Sequence, residues 1–340
     1  MEILLTQKWN DFLDKFDVQH KDLYYCEEYV KLYETEEGKA FCAVCYENNA
    51  ILLMPFIRRQ VGDYFDFETA YGYGGLISNI DDGCWIENAI EEMEKFLIQE
   101  NYVCGFLRFH CLLENAEFCK RHFQVIFDRN TVAINTALPE GEIWSGQITS
   151  KNRNMIRKAE KNGLIYKAEY TFDSLEEFIK LYNATMERLG ADDFYFFNKQ
   201  YYYDFVERFK GSAFLGTVRK EEKLIGAALF MHSPIYGHYH LEGSDREYSS
   251  LGVNNLLLWK SAVEMHNLGV KEFHLGGGSS SESDNSLLKF KKSFSNNLKK
   301  FYIGKWILNE EKYFNLKQAW MKKNPEKVEK YGNLLLCYRY

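Results

Sequence analysis

Lys291 follows Phe290 directly and Phe294 stands three residues beyond it, so its ammonium is set among aromatic rings that partly desolvate it. A cation in apolar surroundings stabilises the oxyanion that forms when an acyl carbon is attacked, because a low local dielectric strengthens the attraction. The surrounding stretch, Asn285 to Asn309, holds six lysines and no acid in a chain with 42 basic and 49 acidic side chains. That local reversal favours an anionic substrate, while the net charge of −7 argues against indiscriminate coating of nucleic acid or anionic membrane. Proton acceptors are offered by YHLEGSD, from Tyr239, where Glu242, Asp245 or His240 could take a proton from an attacking group. His238, His240 and Glu242 alternate along an expected strand, a spacing that suits a polar cleft wall better than a metal site.

Arg153, Arg157 and Lys161 recur four residues apart on an expected helix and make one basic stripe. The planar guanidinium suits a phosphate or carboxylate. In SDREYSSLGVNN, Ser250 and Gly252 precede a helix start, where free backbone amides favour a phosphate and glycine allows close approach. No GxSxG elbow, Walker A loop or HExxH occurs, so serine-hydrolase, P-loop and zincin chemistries lack support. Cys42 and Cys45 form a single CxxC inside an expected strand, which points residues three apart to opposite faces, so no metal is expected there.

The elements that must position these residues recur. AFCAVCYENNAILLMPFIRR, from Ala40, and AFLGTVRKEEKLIGAALFMH, from Ala213, each read as two apolar strands joined by a polar turn. Each hairpin leads to an aromatic and glycine-bearing strand end, YGYGG from Tyr71 and YHLEGS from Tyr239. An amphipathic helix follows, Trp85 to about Glu100 and Leu251 to about Asn267, and then another strand, GFLRFHC and KEFHLGGG. Four elements in one order at one period point to a duplication. Further helices are expected over Ser150–Asn162, Ser174–Leu189 and Lys199–Phe209, and a mobile loop over SSSESDNS from Ser279. The strand-like TVAINTAL stops at LPEGE, which places the domain boundary there: 1–148 and 149–340. The chain has no long apolar run and no secretion signal, and its eight scattered cysteines read as reduced thiols, so a cytoplasmic protein is expected.

With these pieces in order the chain resembles the FemABX family, whose members consist of two GNAT-like domains in tandem and include enzymes that add amino acids to peptidoglycan precursors. The resemblance rests on SKNRNMIRKAEKNGL, YNATMERLGADDFYFF, YHLEGSD, LLLWKSAVEMHNLGVKEFHLGGG, LLKFKKSF and FYIGKWIL, with YGYGG in the first half. It implies an α/β fold of mixed sheets in two tandem GNAT-like domains, the second carrying most of an acyl-transfer site. By that resemblance Phe290 and Lys291 lie beside the transferred acyl group, Tyr195 and Tyr239 line the substrate cleft, and Arg153 and Arg157 face it. Tyr71 and Tyr73 would supply a wall of that cleft from the first half.

The implied reaction moves an aminoacyl or acyl group from aminoacyl-tRNA or acyl-CoA, as cosubstrate, to an amino or hydroxyl group of an anionic, nucleotide- or lipid-linked envelope precursor. Peptidoglycan or surface polysaccharide would be the product class, and tRNA and the inner membrane face the partners. No bound cofactor is expected. SSLGVN keeps only Gly252 of the glycine pattern of the acetyl-CoA branch, which favours an aminoacyl donor, although no heptad run offers a long helical arm for tRNA. Two alternatives are an acetyl-CoA-dependent N-acetyltransferase acting on a nucleotide-linked amino sugar, and a catalytically silent protein that binds a precursor or partner.

Overall fold

Asn48 and Glu221 both adopt positive φ, 54° and 53°, and each reverses the chain between two long apolar strands. In the computed structural model, which describes residues 1–280, 282 and 285–340, these hairpins are the centres of two α/β units. The first stretch of chain gives β1 (Glu2–Thr6), β2 (Gly38–Glu47), β3 (Ala50–Val61), β4 (Tyr64–Glu68), β5 (Ile77–Ser78), α1 (Gly83–Gln99) and β6 (Tyr102–Arg108). Then come β7 (Gln124–Asn135), α2 (Ser150–Lys161), β8 (Leu164–Glu169), α3 (Leu175–Leu189), α4 (Lys199–Arg208), β9 (Ala213–Lys220) and β10 (Lys223–His232). The chain closes with β11 (Tyr236–Ser244), α5 (Val253–Asn267), β12 (Glu272–Gly277), α6 (Ser286–Lys292), β13 (Leu298–Ile307) and α7 (Glu310–Lys323). Part of the expected loop from Ser279 lies outside the described residues.

The expected helices form within two or three residues of their predicted ends, for local reasons. Asp82 caps α1 by accepting from the amides of Cys84 and Trp85, and Ile86, Ala89, Ile90, Met93 and Leu97 make its buried stripe. Thr149 caps α2, and Gly190 closes α3 in the left-handed conformation. YGYGG is different: apart from one bridge between Gly74 and Phe109 it is not a strand. Gly72 and Gly75 turn it at φ of 88° and 89°, and a Cβ at Gly72 would stand 2.4 Å from the ring of Tyr24.

The first unit comprises residues 1–128 and 300–340, the second 129–299, which differs from the division expected at 148/149. Two physical causes account for the difference. Strand β13 pairs antiparallel with β6, from Ile303 opposite Arg108 to Ile307 opposite Cys104, and buries Trp306 completely in the first core. Residues 131–135 of β7 meanwhile pair with β12 and bring Val132 and Ile134 into the second core. The sheet of the first unit runs β1-β2-β3-β4-β6-β13 with β5 on β3, and that of the second runs β7-β12-β11-β10-β9-β8. Each is a mixed sheet with one parallel neighbour pair, β4 with β6 and β11 with β12. All eight cysteines are free thiols.

Asp66 is fully buried in the first unit and pairs with Arg59 at 3.2 Å and with Arg339 at 2.8 Å, while Glu68 holds Arg59 at 2.6 Å and Arg108 at 3.1 Å. This network ties the last residues of the chain to β3 and β4. Removing one partner of a buried pair strands the other charge. Asp66→Ala should therefore lower the free energy of unfolding by about 3 kcal/mol in urea titrations; a loss under about 1 kcal/mol would show that the network does not hold the segment.

Candidate functional site

Strands β11 and β12 lie side by side in parallel for three pairs only: Tyr236 with Glu272, Gly237 with Phe273 and His238 with His274. Beyond these β11 continues to Ser244 on its ladder with β10, and β12 continues to Gly277 on β7. The neighbours therefore part company, leaving the facing backbone edges beyond His238 and His274 without a strand partner. A bulge assists the parting: Leu229 pairs with Leu241 but Phe230 with Tyr239, so His240 is the extra residue and β11 bends there.

Lys291 reaches across the opening. Its Nζ donates to the Gly277 carbonyl of β12 at 2.8 Å and lies 5.6 Å from the ring centroid of Tyr239 on β11. Lys291 belongs to the last turn of α6, capped by Asn285, and is only 7% exposed. Burial pushes its pKa down to about 8, with the Glu242 carboxylate opposing the fall and Arg129 adding to it. Arg129 is itself fixed by donating to the Gly278 carbonyl at 2.8 Å.

Glu242 responds in the opposite direction. Burial raises its carboxyl above the usual range, against the opposing effects of Ser244, Asn254, Lys291 and Arg188. Its Oε1 is buried with no hydrogen-bond partner among the described residues. Tyr239 stacks on Phe230, with ring centroids 5.6 Å apart, and burial and then the Glu242 charge hold its phenol protonated. A carboxyl pushed up beside an ammonium pushed down is an arrangement found where protons are moved.

The sequence profile of the "Acetyltransferase (GNAT) domain" matches residues 149–292, which span both α2 and the Lys291 helix. Residues 149–292 form an acyltransferase domain of GNAT type. The fold of the chain is similar to that of FemX over 93% of this chain and 99% of that one, with a TM-score of 0.70 at 14% identity. A conserved protein of unknown function from Bacteroides thetaiotaomicron is similar over 78% of this chain and 86% of its own, with a TM-score of 0.53 at 13% identity. The C-terminal domain of a candidate lysylphosphatidylglycerol synthetase from Agrobacterium fabrum covers 94% of this chain and 97% of its own, with a TM-score of 0.54 at 11% identity. No curated protein matches the sequence.

Within the GNAT domain the other expected site residues separate into two groups. Phe290 packs beside Lys291 with its ring 5.4 Å from Phe294, and Tyr195 lies exposed after α3, its carbonyl accepting from the Tyr182 hydroxyl at 2.9 Å. Arg157 is exposed over the Trp144 ring and remains available to an anion. Arg153 is partly engaged: its Nη1 donates to the carbonyls of Trp144, Ser145 and Ile148, closing the turn that precedes α2. Asp245 caps the short helix after β11 through the Glu247 amide and pairs with Lys223 at 2.9 Å. That lysine holds the Asp245 carboxyl below its usual range, which makes it a poor proton acceptor.

Gly252 has φ of 84°, but the space beside it is taken: a Cβ there would stand 2.8 Å from the Met155 carbonyl oxygen of α2. Lys158 of the same helix donates to the Ser250 carbonyl at 2.8 Å. A phosphate would meet an oxygen rather than open space at Gly252. His240 turns to α4, 2.7 Å from the Tyr201 hydroxyl and parallel to the Phe205 ring; burial and then His238 lower its pKa to about 3, so it stays neutral. The polar wall expected from His238, His240 and Glu242 is thus broken by the bulge. Tyr71 and Tyr73 belong to the first unit, where Tyr73 packs against Tyr24 at 5.3 Å and His110 at 5.7 Å, and the Tyr71 carbonyl accepts from Tyr29. Sequence reasoning missed Arg129, Asn254 and Ser244; only the proximity of Asn254 to Gly252 was a signal.

The lowered pKa of Lys291 has a definite sign in stability. The unfolded lysine binds its proton up to about pH 10.4, the folded one only to about 8, so the unfolded state carries more protons between these values. Stability from this group therefore rises with pH across that window and is lost below it. The difference in unfolding free energy between the wild type and Lys291→Met should grow in favour of the wild type from pH 8 to 10.4. A flat difference across this range, in chemical denaturation at several pH values, would contradict the burial argument.

Proposed function

We propose that the parting of β11 and β12 receives the acyl end of an activated donor, aminoacyl-tRNA or acyl-CoA, and passes the acyl group to an anionic cell-envelope precursor. The observation that carries this reading is Lys291 reaching from Gly277 to Tyr239 across that opening, with Glu242 on the same strand as Tyr239. Two unpaired strand edges offer hydrogen bonds to an extended, amide-bearing donor arm. The ester or thioester is already activated, so positioning and charge stabilisation suffice and no covalent enzyme intermediate is required.

In this scheme the Lys291 ammonium meets the oxygen charge that develops on the attacked carbonyl, and Glu242 takes the proton of the attacking amino or hydroxyl group. Arg157, with the neighbouring exposed Lys151 and Lys161, holds acceptor phosphate or carboxylate. Arg153 shapes the turn beneath them. The fold shared with FemX and with a lysylphosphatidylglycerol synthetase domain supports an aminoacyl donor and an envelope acceptor. The match to an acetyltransferase profile supports the second reading, N-acetylation of a nucleotide-linked amino sugar from acetyl-CoA. No helix among the described residues is long and apolar enough to cross a membrane, so a lipid-linked acceptor would be met at a membrane surface.

A donor screen separates the readings: the protein is incubated with labelled acetyl-CoA or charged tRNA beside lipid- and nucleotide-linked precursors. Transfer from tRNA alone supports the first reading and thiol release from acetyl-CoA alone the second; binding with no turnover from either would sink both. With the productive pair, Glu242→Gln should lower kcat by about a hundredfold or more. The wild-type rate should fall above pH about 8 as Lys291 loses its proton. Lys291→Arg, charged at every accessible pH, should lose that fall even where its absolute rate is lower; retention of the same limb would assign it to another group.

A further inference from the structure

Strand β12 runs out through Gly276, Gly277 and Gly278, which have no side chains to hold the backbone on which Lys291 is seated. Gly276 adopts φ of 75°, and the last pair of the ladder sets Gly277 opposite Thr131 of β7. Beyond that pair a side chain takes over from the backbone. Arg129, which precedes Thr131 on the same strand, donates from Nη1 to the Gly278 carbonyl at 2.8 Å. Its stem lies along the same turn: a Cβ at Gly277 would stand 3.0 Å from Arg129 Cδ and 3.0 Å from the Asn130 carbonyl oxygen. The carbonyl one residue earlier, that of Gly277, accepts from Lys291 Nζ at 2.8 Å. Two cations thus sit on successive carbonyls of one glycine turn. An ammonium carries several donors, so it can be held by Gly277 and still donate to a ligand.

We propose that Arg129 is a positioning residue of the acyl-transfer site: by binding the Gly278 carbonyl it fixes the turn whose preceding carbonyl aims the Lys291 ammonium across the opening between β11 and β12. This rests on the acyl-transfer reading of Lys291 and deepens it. Without the arginine the peptides on either side of Gly278 can rotate, since glycine has no Cβ to bar other backbone angles, and the ammonium would follow the Gly277 carbonyl. A displacement of about 1 Å at a catalytic group is enough to cost about a hundredfold in rate. The guanidinium also acts through its charge. Lys291 is faced by Glu242 and Tyr239 from β11, by Arg129 from β7 and by the Gly277 carbonyl from β12, whose His274 is turned to the Thr131 hydroxyl at 2.8 Å. Burial lowers the proton affinity of Lys291 most, Glu242 opposes the fall and Arg129 adds to it. Loss of the arginine should therefore let Lys291 keep its proton to higher pH, while a lysine in its place preserves both the charge and a donor for the carbonyl.

Two measurements on the full chain test this. With lysine labelled by carbon-13 at Cε, NMR titration follows each side chain, and the Lys291 signal is the one missing from Lys291→Arg. It should titrate with a pKa of about 8 in the wild type. In Arg129→Met it should titrate higher by about half a pH unit or more, and in Arg129→Lys the wild-type value should be kept. In turnover with the productive donor and acceptor, Arg129→Met should lose about tenfold or more in kcat with KM within about twofold, and Arg129→Lys should recover most of that loss. Thermal unfolding checks that the variants are folded, and Arg129→Gln, also uncharged, replaces Arg129→Met if the latter is not. An unchanged Lys291 titration or an unchanged kcat in Arg129→Met, or the same shift and loss in Arg129→Lys, would overturn the positioning role. Failure of the acyl-transfer reading shows apart from this, as absence of turnover by the wild type with every donor while the Lys291 titration still responds to Arg129.

Discussion

The chemistry of this protein depends on a ladder that stops. Parallel neighbours in a sheet ordinarily pair along their shared length, and in the first unit β4 stays on β6 from Phe65 opposite Tyr102 to Glu68 opposite Phe106. In the second unit the same kind of pair separates after His238 and His274. The bulge at His240 bends one strand, and the glycines at the end of the other let Arg129 and Asn285 crowd in: a Cβ at Gly277 or Gly278 would stand 3.0 Å from Arg129 or 2.5 Å from Asn285. On the proposed reading Lys291, Tyr239 and Glu242 gather beside the strand edges that lose their neighbour among the described residues.

That placement sets the two ionisable groups against each other. Glu242 and Lys291 attract, yet burial disfavours charge on both, and burial is the largest influence on each. The result is a carboxyl and an ammonium whose affinities for the proton lie closer together than those of the free groups. Asp245 lies three residues beyond Glu242 and has the same functional group, but its lysine partner and helix cap leave it nothing to give. Identity of residue type therefore says little about role here; the number of unoccupied lone pairs says more.

Much of the scaffold was legible because it is written locally. The paired hairpins, the capped helices α1, α2 and α3 and the glycine stops follow from alternation, periodicity and turn chemistry carried within a dozen residues. Lys291 and Glu242 could be singled out by their flanking aromatics and strand position. What escaped was non-local: that β13 returns to β6, that Arg153 commits its Nη1 to carbonyls, that Met155 packs against Gly252. Each depends on which distant segment arrives beside a residue, and no spacing within the segment records it. The His240 bulge is a smaller case of the same kind, since one inserted residue undid an alternation that otherwise read cleanly.

The returning strand also orders events during synthesis. Strand β6 must wait roughly 200 residues for its neighbour β13, so the first unit is made early and finished last. Until Trp306 arrives, its place in the first core is empty and the β6 edge is bare. The second unit, by contrast, is a continuous segment that can close on itself while its companion is still waiting. A ribosome that pauses soon after residue 299 therefore holds a chain whose second unit is complete while the first sheet still lacks β13, and the vulnerable half of the newborn chain is the first unit.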